Sequence, residues 1–165
     1  GSSTVHVMAG KIPEEADRHL WTKTLVENIR YAADAFRLHG ITIVLEAINS
    51  KVDMPGYFYS KTSEVLEVIR LVARSNVKIL FDVYHVQIME GDLTRSFERL
   101  FDYIGHVQIA DNPGRHEPGT GEINFPNILG IFDDKGYAGW VGCEYVPVID
   151  TLTGLRWAKT YLSGQ

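Results

Sequence analysis

Short apolar runs rich in β-branched residues alternate with amphipathic stretches along the whole chain, and this alternation restricts the fold more than any other feature. The runs are Val5–Met8, Ile41–Leu45, Val77–Phe81, Val107–Ala110 and Trp140–Cys143. Each is too short for a helix and lacks the polar alternation of a half-solvated strand, so five strands buried on both faces are expected. Helical spacing fills the intervals. The first helix should run from about Glu14 to Leu38, with Leu20, Thr24, Ile29, Ala32, Ala33 and Phe36 near one face and Pro13 and Gly40 as punctuation. The second should start near Thr62 and end at Ser75-Asn76, with Glu64 and Glu67 early and Arg70 and Arg74 late, as the helix dipole favours. Further helices are expected from Leu93 to Tyr103, Pro126 to Lys135 and Leu152 to Tyr161. Regular alternation of this kind gives an α/β fold, a parallel sheet wrapped by helices.

An open doubly wound sheet would usually carry a glycine-rich phosphate loop after a strand, and none is present; Gly114, Gly119 and Gly121 instead share a long loop with His116, Glu117 and Pro118. A (β/α) barrel is therefore favoured. A complete eight-unit barrel takes about 250 residues, so the 165 residues here leave room for about five units, the number of strands counted. One domain over residues 4–165 is expected, and Gly1-Ser2-Ser3 reads as a vector remnant. Net charge is −5 with dispersed basic residues, which argues against nucleic-acid and anionic-membrane partners and for a small metabolite. The lone Cys143 excludes an intrachain disulfide, and no apolar run approaches the length of a membrane span, so a cytoplasmic location is expected.

Four polar residues close four successive apolar strands: Glu46, Asp82, Gln108 and Glu144, spaced 36, 26 and 36 residues apart. In a barrel of units of about 31 residues, this spacing places one side chain per strand at the C-terminal rim, where barrel active sites are assembled. Three carboxylates crowded into a low-dielectric mouth repel one another unless protonated or bound to a cation. An all-oxygen set of carboxylates and an amide suits a hard ion, so Mg²⁺ or Mn²⁺ is favoured over Zn²⁺. Strand ends also finish in polar residues merely because they meet solvent, but four in register is a stricter pattern than any one of them.

Several longer stretches resemble the hydroxypyruvate isomerase family, within the xylose-isomerase-like barrels. They are His6-Val7-Met8-Ala9-Gly10, Leu45-Glu46-Ala47-Ile48-Asn49, the run from Phe81 to Gly91, the run from Gly105 to Ala110, Pro113-Gly114-Arg115, the run from Gly121 to Pro126 and Gly142-Cys143-Glu144-Tyr145. The resemblance runs from Val5 to about Tyr161. It implies that Glu46, Asp82, Gln108 and Glu144 are the metal ligands and that Glu46 and Glu144 are also the acid/base pair. It makes His85 a partner for a substrate hydroxyl, and Gln108, where related ketose epimerases carry His, leans toward the hydroxypyruvate branch. Set against that family, the chain corresponds to strands 4–8 of the barrel, so a homo-oligomer or a complementing barrel fragment is an expected partner.

Arg115 is a candidate clamp for a substrate carboxylate, since guanidinium binds carboxylate bidentately, and Glu122 is expected to brace the site or hydrogen-bond Arg115. His106, two residues before Gln108, should point inward one layer deeper as a core histidine, and Cys143 should face the helices. Met89, Trp140 and Trp157 are expected in core or interface. The implied reaction interconverts hydroxypyruvate and 2-hydroxy-3-oxopropanoate by enediolate proton transfer. A 2-oxo-tetronate isomerase or ketose 3-epimerase would use the same site on another substrate. A catalytically silent fragment that binds metal or self-associates is the alternative of another class.

Overall fold

The computed structural model describes residues 1–162. It contains five strands, β1 (Thr4–His6), β2 (Thr42–Glu46), β3 (Val77–Asp82), β4 (Ile104–Ile109) and β5 (Val141–Cys143), all parallel and adjacent in chain order. Chain-order neighbours joined by helical crossovers give a curving half-barrel in which every strand delivers its carboxyl end to one rim.

The helices are α1 (Arg18–Arg37), α2 (Thr62–Val72), α3 (Val83–Met89), α4 (Leu93–Leu100), α5 (Phe125–Asp134), α6 (Thr151–Gly154) and α7 (Lys159–Leu162). Among the described residues, none is long and apolar enough to cross a membrane. Alternation along the central strands splits the side chains. Ile43, Leu45, Ile79, Phe81, Val107 and Ile109 join the core beneath the helices, with Val26, Ile29 and Ala33 of α1, Val65, Ile69 and Val72 of α2 and Phe97 of α4. Phe97 is the aromatic centre of this layer, with ring centroids 5.5 Å from Phe81 and 4.3 Å from Phe132. The intervening residues of β2 and β3, Val44, Glu46, Leu80 and Asp82, are buried but point the other way, into the concave face.

Burial on both faces holds for β2 and β3 but fails at the edges. β1 and β5 have three residues each and lack fully buried positions, because each has a neighbour on one side only. The first helix starts at Arg18 rather than Glu14, because the Asp17 carboxylate accepts from the His19 and Leu20 backbone N–H groups and caps it there. Its packed stripe is Val26, Ile29 and Ala33, while Leu20 lies exposed. The second helix stops at Val72, where Ala73 turns left-handed, short of the expected Ser75-Asn76. The single last helix expected over Leu152–Tyr161 is instead α6, a 3₁₀ turn at Arg156–Ala158, and α7. Trp140 is exposed, Trp157 half-buried, and Cys143 faces the helix side as expected but remains exposed in a groove with Leu129, Tyr137, Leu155 and Trp157.

Candidate active site at the carboxyl rim

Glu46 is the last residue of β2 and Asp82 the last of β3, and each is almost fully buried on the concave face. Asp82 divides its two oxygens between two tasks. Oδ1 caps α3 by accepting from the Tyr84 N–H at 2.8 Å and the His85 N–H at 3.3 Å, while Oδ2 has no hydrogen-bond partner among the described residues. That cap creates α3, a helix absent from the sequence-based expectation because Val83-Tyr84-His85-Val86 continues the apolar run of β3. The new helix carries His85 straight into the site: its Nε2 lies 3.6 Å from Glu46 Oε1 and 3.9 Å from Asp82 Oδ2. Glu46, Asp82 and His85 each offer a ligand atom within 4.8 Å of one another.

Gln108 pairs in register with Asp82 across β3 and β4. A bulge opposite Ile79 and Leu80 sets that register, and Gly105 makes it possible: a Cβ there would stand 2.7 Å from Lys78 Cβ. Glu46 Oε1, Asp82 Oδ2 and Gln108 Oε1 are thus buried acceptors without a hydrogen-bond donor among the described residues. Orphaned acceptors are costly, and three on adjacent strand ends suit a hard cation or a donor-rich ligand. Burial, then the nearby charges of Asp82 and Glu144, holds the Glu46 carboxyl well above the ordinary range. Burial also raises Asp82, against the lowering effects of Arg115 and its backbone donors.

Glu144 follows β5, and its N–H continues the sheet by donating to Ile109 O at 3.1 Å. Its side chain is 52% exposed and stands outside the tight cluster, where Arg115 Nη2 donates to Oε2 at 2.7 Å. Arg115 also lies 3.4 Å from Asp53 Oδ1 and over the Tyr84 ring at 5.1 Å. Its backbone is left-handed at φ 53°, a strained conformation for a side chain of this size. The loop that imposes it is built on the buried Asp111, whose carboxylate accepts from the N–H groups of Asn112, Gly119, Gly121 and Ile123. Gly121 is obligatory there, because a Cβ would collide with Asn112 O and lie 2.7 Å from Asp111 Oδ1.

Of the two roles expected for Glu122, the hydrogen bond to Arg115 is not formed. The exposed Glu122 carboxylate accepts from Gln87 at 3.0 Å and Asn112 at 2.6 Å, and Arg115 turns to Glu144 and Asp53 instead. His106 does sit beneath Gln108 on the inner face, beside Gly142, but half-buried rather than sealed in a core, since β5 is an edge. Four residues at the site escaped the sequence reading. His6 Nε2 is 3.5 Å from Glu46 Oε2, and strand alternation against Val5 and Val7 was the available signal. Asn49, Asp53 and Tyr84 form a hydrogen-bonded group behind His85, with Tyr84 Oη donating to Asp53 Oδ2 at 3.0 Å. Asn49, three residues past Glu46, opens the polar run Asn49-Ser50-Lys51 that follows the strand, and nothing in that run sets it apart from an ordinary loop residue.

Fold and site together define a barrel-type α/β protein with buried carboxylate and amide oxygens gathered at the carboxyl ends of its strands. The chain belongs to the xylose isomerase-like TIM barrel family, whose model matches residues 1–161. It is 45% identical over 162 residues to the 2-oxo-tetronate isomerase of Cupriavidus necator, covering 98% of this chain and 62% of that protein. It is 44% identical over 161 residues to the hydroxypyruvate isomerase of Escherichia coli, with the same coverage of 98% and 62%. Among solved structures, a protein from Brucella melitensis described as AP endonuclease, family 2, matches with a TM-score of 0.92 at 45% identity, covering 96% of this chain and 61% of that one. The chain therefore spans about three-fifths of the length of the relatives it matches.

Proposed function

We propose that this chain carries the catalytic rim of a divalent-metal-dependent isomerase that interconverts hydroxypyruvate and 2-hydroxy-3-oxopropanoate. The observation that supports it most is the set of three orphaned, buried acceptor atoms on Glu46, Asp82 and Gln108. With Glu144 they make an all-oxygen donor set, which fits Mg²⁺ or Mn²⁺. A cation held by these four residues would supply Lewis acidity to the carbonyl and hydroxyl oxygens of the substrate.

The remaining steps belong to side chains. Arg115, released from Glu144, has the planar fork to hold the substrate carboxylate bidentately. One of Glu46 and Glu144 removes a proton from C3, leaving an enediolate, and a proton is returned to C2 as the C3 hydroxyl proton moves to the C2 oxygen. Burial and like charge already raise the proton affinity of Glu46, which suits an acid/base group working near neutral pH. Burial and the nearby Arg115 guanidinium pull the His85 imidazole down to about 4, so it is neutral and serves as a hydrogen-bond partner for a substrate hydroxyl rather than a cation. Glu122, on Gln87 and Asn112, supports the loop around Arg115 from outside.

A 2-oxo-tetronate isomerase would use the same side chains on a longer substrate, and relatives of both names match almost equally, at 45% and 44% identity. We take the five strands as strands 4–8 of an eight-stranded barrel. The exposed edges β1 and β5 support a second copy or a complementing barrel segment as partner. Loss of the C3 proton signal of hydroxypyruvate in D₂O with Mg²⁺, followed by NMR and abolished by Glu46→Gln, is the expected result. Absence of exchange under conditions where calorimetry shows cation binding would replace the isomerase with a catalytically silent, metal-binding chain.

A further inference from the structure

Behind His85 lies a side chain whose hydrogen bonds decide which imidazole nitrogen carries the proton. Asn49 is fully buried. Its Oδ1 accepts from two backbone donors, the N–H of Val52 at 2.9 Å and of Asp53 at 3.0 Å, so the amide orientation is fixed; a flip would aim Nδ2 at both of them and Oδ1 at the Asp53 carboxylate. Both Nδ2 hydrogens then have acceptors. One goes to Asp53 Oδ2 and the other to His85 Nδ1 at 2.7 Å. The backbone N–H of Asn49 approaches the same Nδ1 at 3.4 Å. A nitrogen facing two donors must be the unprotonated one.

The competing contact is on the far nitrogen, where Arg115 Nη2 lies 3.4 Å from Nε2. That contact is long, while Nη2 places its short hydrogen bond on Glu144 at 2.7 Å, so the 2.7 Å contact from Asn49 outweighs it. We infer that Asn49 is a positioning residue that holds His85 in the Nε2–H tautomer, turning Nε2 into a fixed hydrogen-bond donor aimed at the cleft between Glu46 and Asp82. The consequence separates two roles for His85. Distance alone makes it a candidate cation ligand with Glu46 and Asp82. An imidazole whose Nε2 bears a proton and whose Nδ1 is engaged by Asn49 has no lone pair free for a cation, and instead donates to a substrate oxygen. Its use on substrate rests on the isomerase proposed above; the tautomer itself does not.

The test is ¹⁵N NMR of the full chain labelled at histidine, with the His85 signals identified by their loss in His85→Gln. Wild type is expected to show an unprotonated Nδ1 and a protonated Nε2 for His85, unchanged on adding Mg²⁺. Asn49→Asp keeps Oδ1 as acceptor for Val52 and Asp53 but puts an acceptor opposite Nδ1, so the proton should move to Nδ1 while the signals of the other histidines stay in place. Asn49→Ala should weaken the preference and yield a mixture of tautomers. With substrate, Asn49→Asp should lower kcat by tenfold or more with a smaller change in KM. A protonated Nδ1 in wild type, a Mg²⁺-induced shift typical of a ligated imidazole, or identical His85 signals in wild type and Asn49→Ala would overturn the assignment. The expected tautomers in a chain that shows no C3 proton exchange would uphold Asn49 as the positioning residue and remove the isomerase.

Discussion

Replacing Glu46 by Gln should make the metal-free chain more stable at neutral pH while abolishing its response to divalent cations. Glu46 and Asp82 end adjacent strands at 4% and 1% exposure, and burial followed by the charge of Asp82 raises the Glu46 carboxyl above its ordinary 4.5. A carboxyl whose pKa is raised by folding keeps its proton longer in the folded chain than in the unfolded one. Its contribution is neutral below the ordinary value, where both states are protonated, and turns destabilising as pH climbs toward the raised value. The slope is at most about 1.4 kcal/mol per pH unit for one proton, so Glu46 alone costs about 3 kcal/mol between about pH 5 and pH 7. Gln keeps the shape and removes the charge. The Glu46→Gln variant should therefore exceed wild type by about 2 to 3 kcal/mol at pH 7 and show a flatter profile. Urea unfolding followed by circular dichroism in EDTA at pH 5, 6, 7 and 8 measures both quantities. Repeated with Mn²⁺, wild type should gain stability in proportion to RT ln(1 + [Mn²⁺]/Kd), and the variant should not respond. A flat wild-type profile, or a variant no more stable than wild type at pH 7, would refute the crowded-carboxylate account.

Glu144→Gln should change stability by less than about 1 kcal/mol, because the ion pair with Arg115 is half-exposed, yet lower C3 proton exchange by about 10²-fold or more; equal losses in both would point to a structural role. Arg115→Lys loses the planar fork, so KM for hydroxypyruvate should rise about 10- to 100-fold with kcat little changed in steady-state assays. Gly121→Ala drives a Cβ into Asn112 O and against Asp111 Oδ1. The loop must shift, so the urea midpoint should fall by the equivalent of about 1 to 3 kcal/mol; an unchanged midpoint would show that the loop yields freely.

The strands and most helices were legible because burial writes a period into the sequence. Ile43, Leu45, Ile79, Phe81, Val107 and Ile109 face the helices and so repeat every second position, leaving Glu46, Asp82 and Gln108 on the opposite face at the strand ends. That alternation, with the spacing of βα units, brought the acidic rim within reach of sequence alone. Features set by short-range geometry were not legible. The helix after β3 hid in an apolar run, because an Asp cap converts a strand to a helix without altering its hydrophobicity. The edges β1 and β5 looked as buried as their neighbours, since exposure there depends on what lies beside a strand and not on its own residues.

The sequence by itself determined the α/β class, the order of strands and the carboxyl rim that carries Glu46, Asp82 and Gln108. Tertiary structure alone decided which side chains complete it. It brought in His6 from the first strand, set Arg115 on Glu144 and Asp53 instead of Glu122, and placed Asn49 behind His85. The physical reason is range. Hydrophobic burial is periodic and local in sequence, whereas hydrogen bonds and charge pairs act over about 3 to 4 Å between residues that stand tens of positions apart, and leave no period to read.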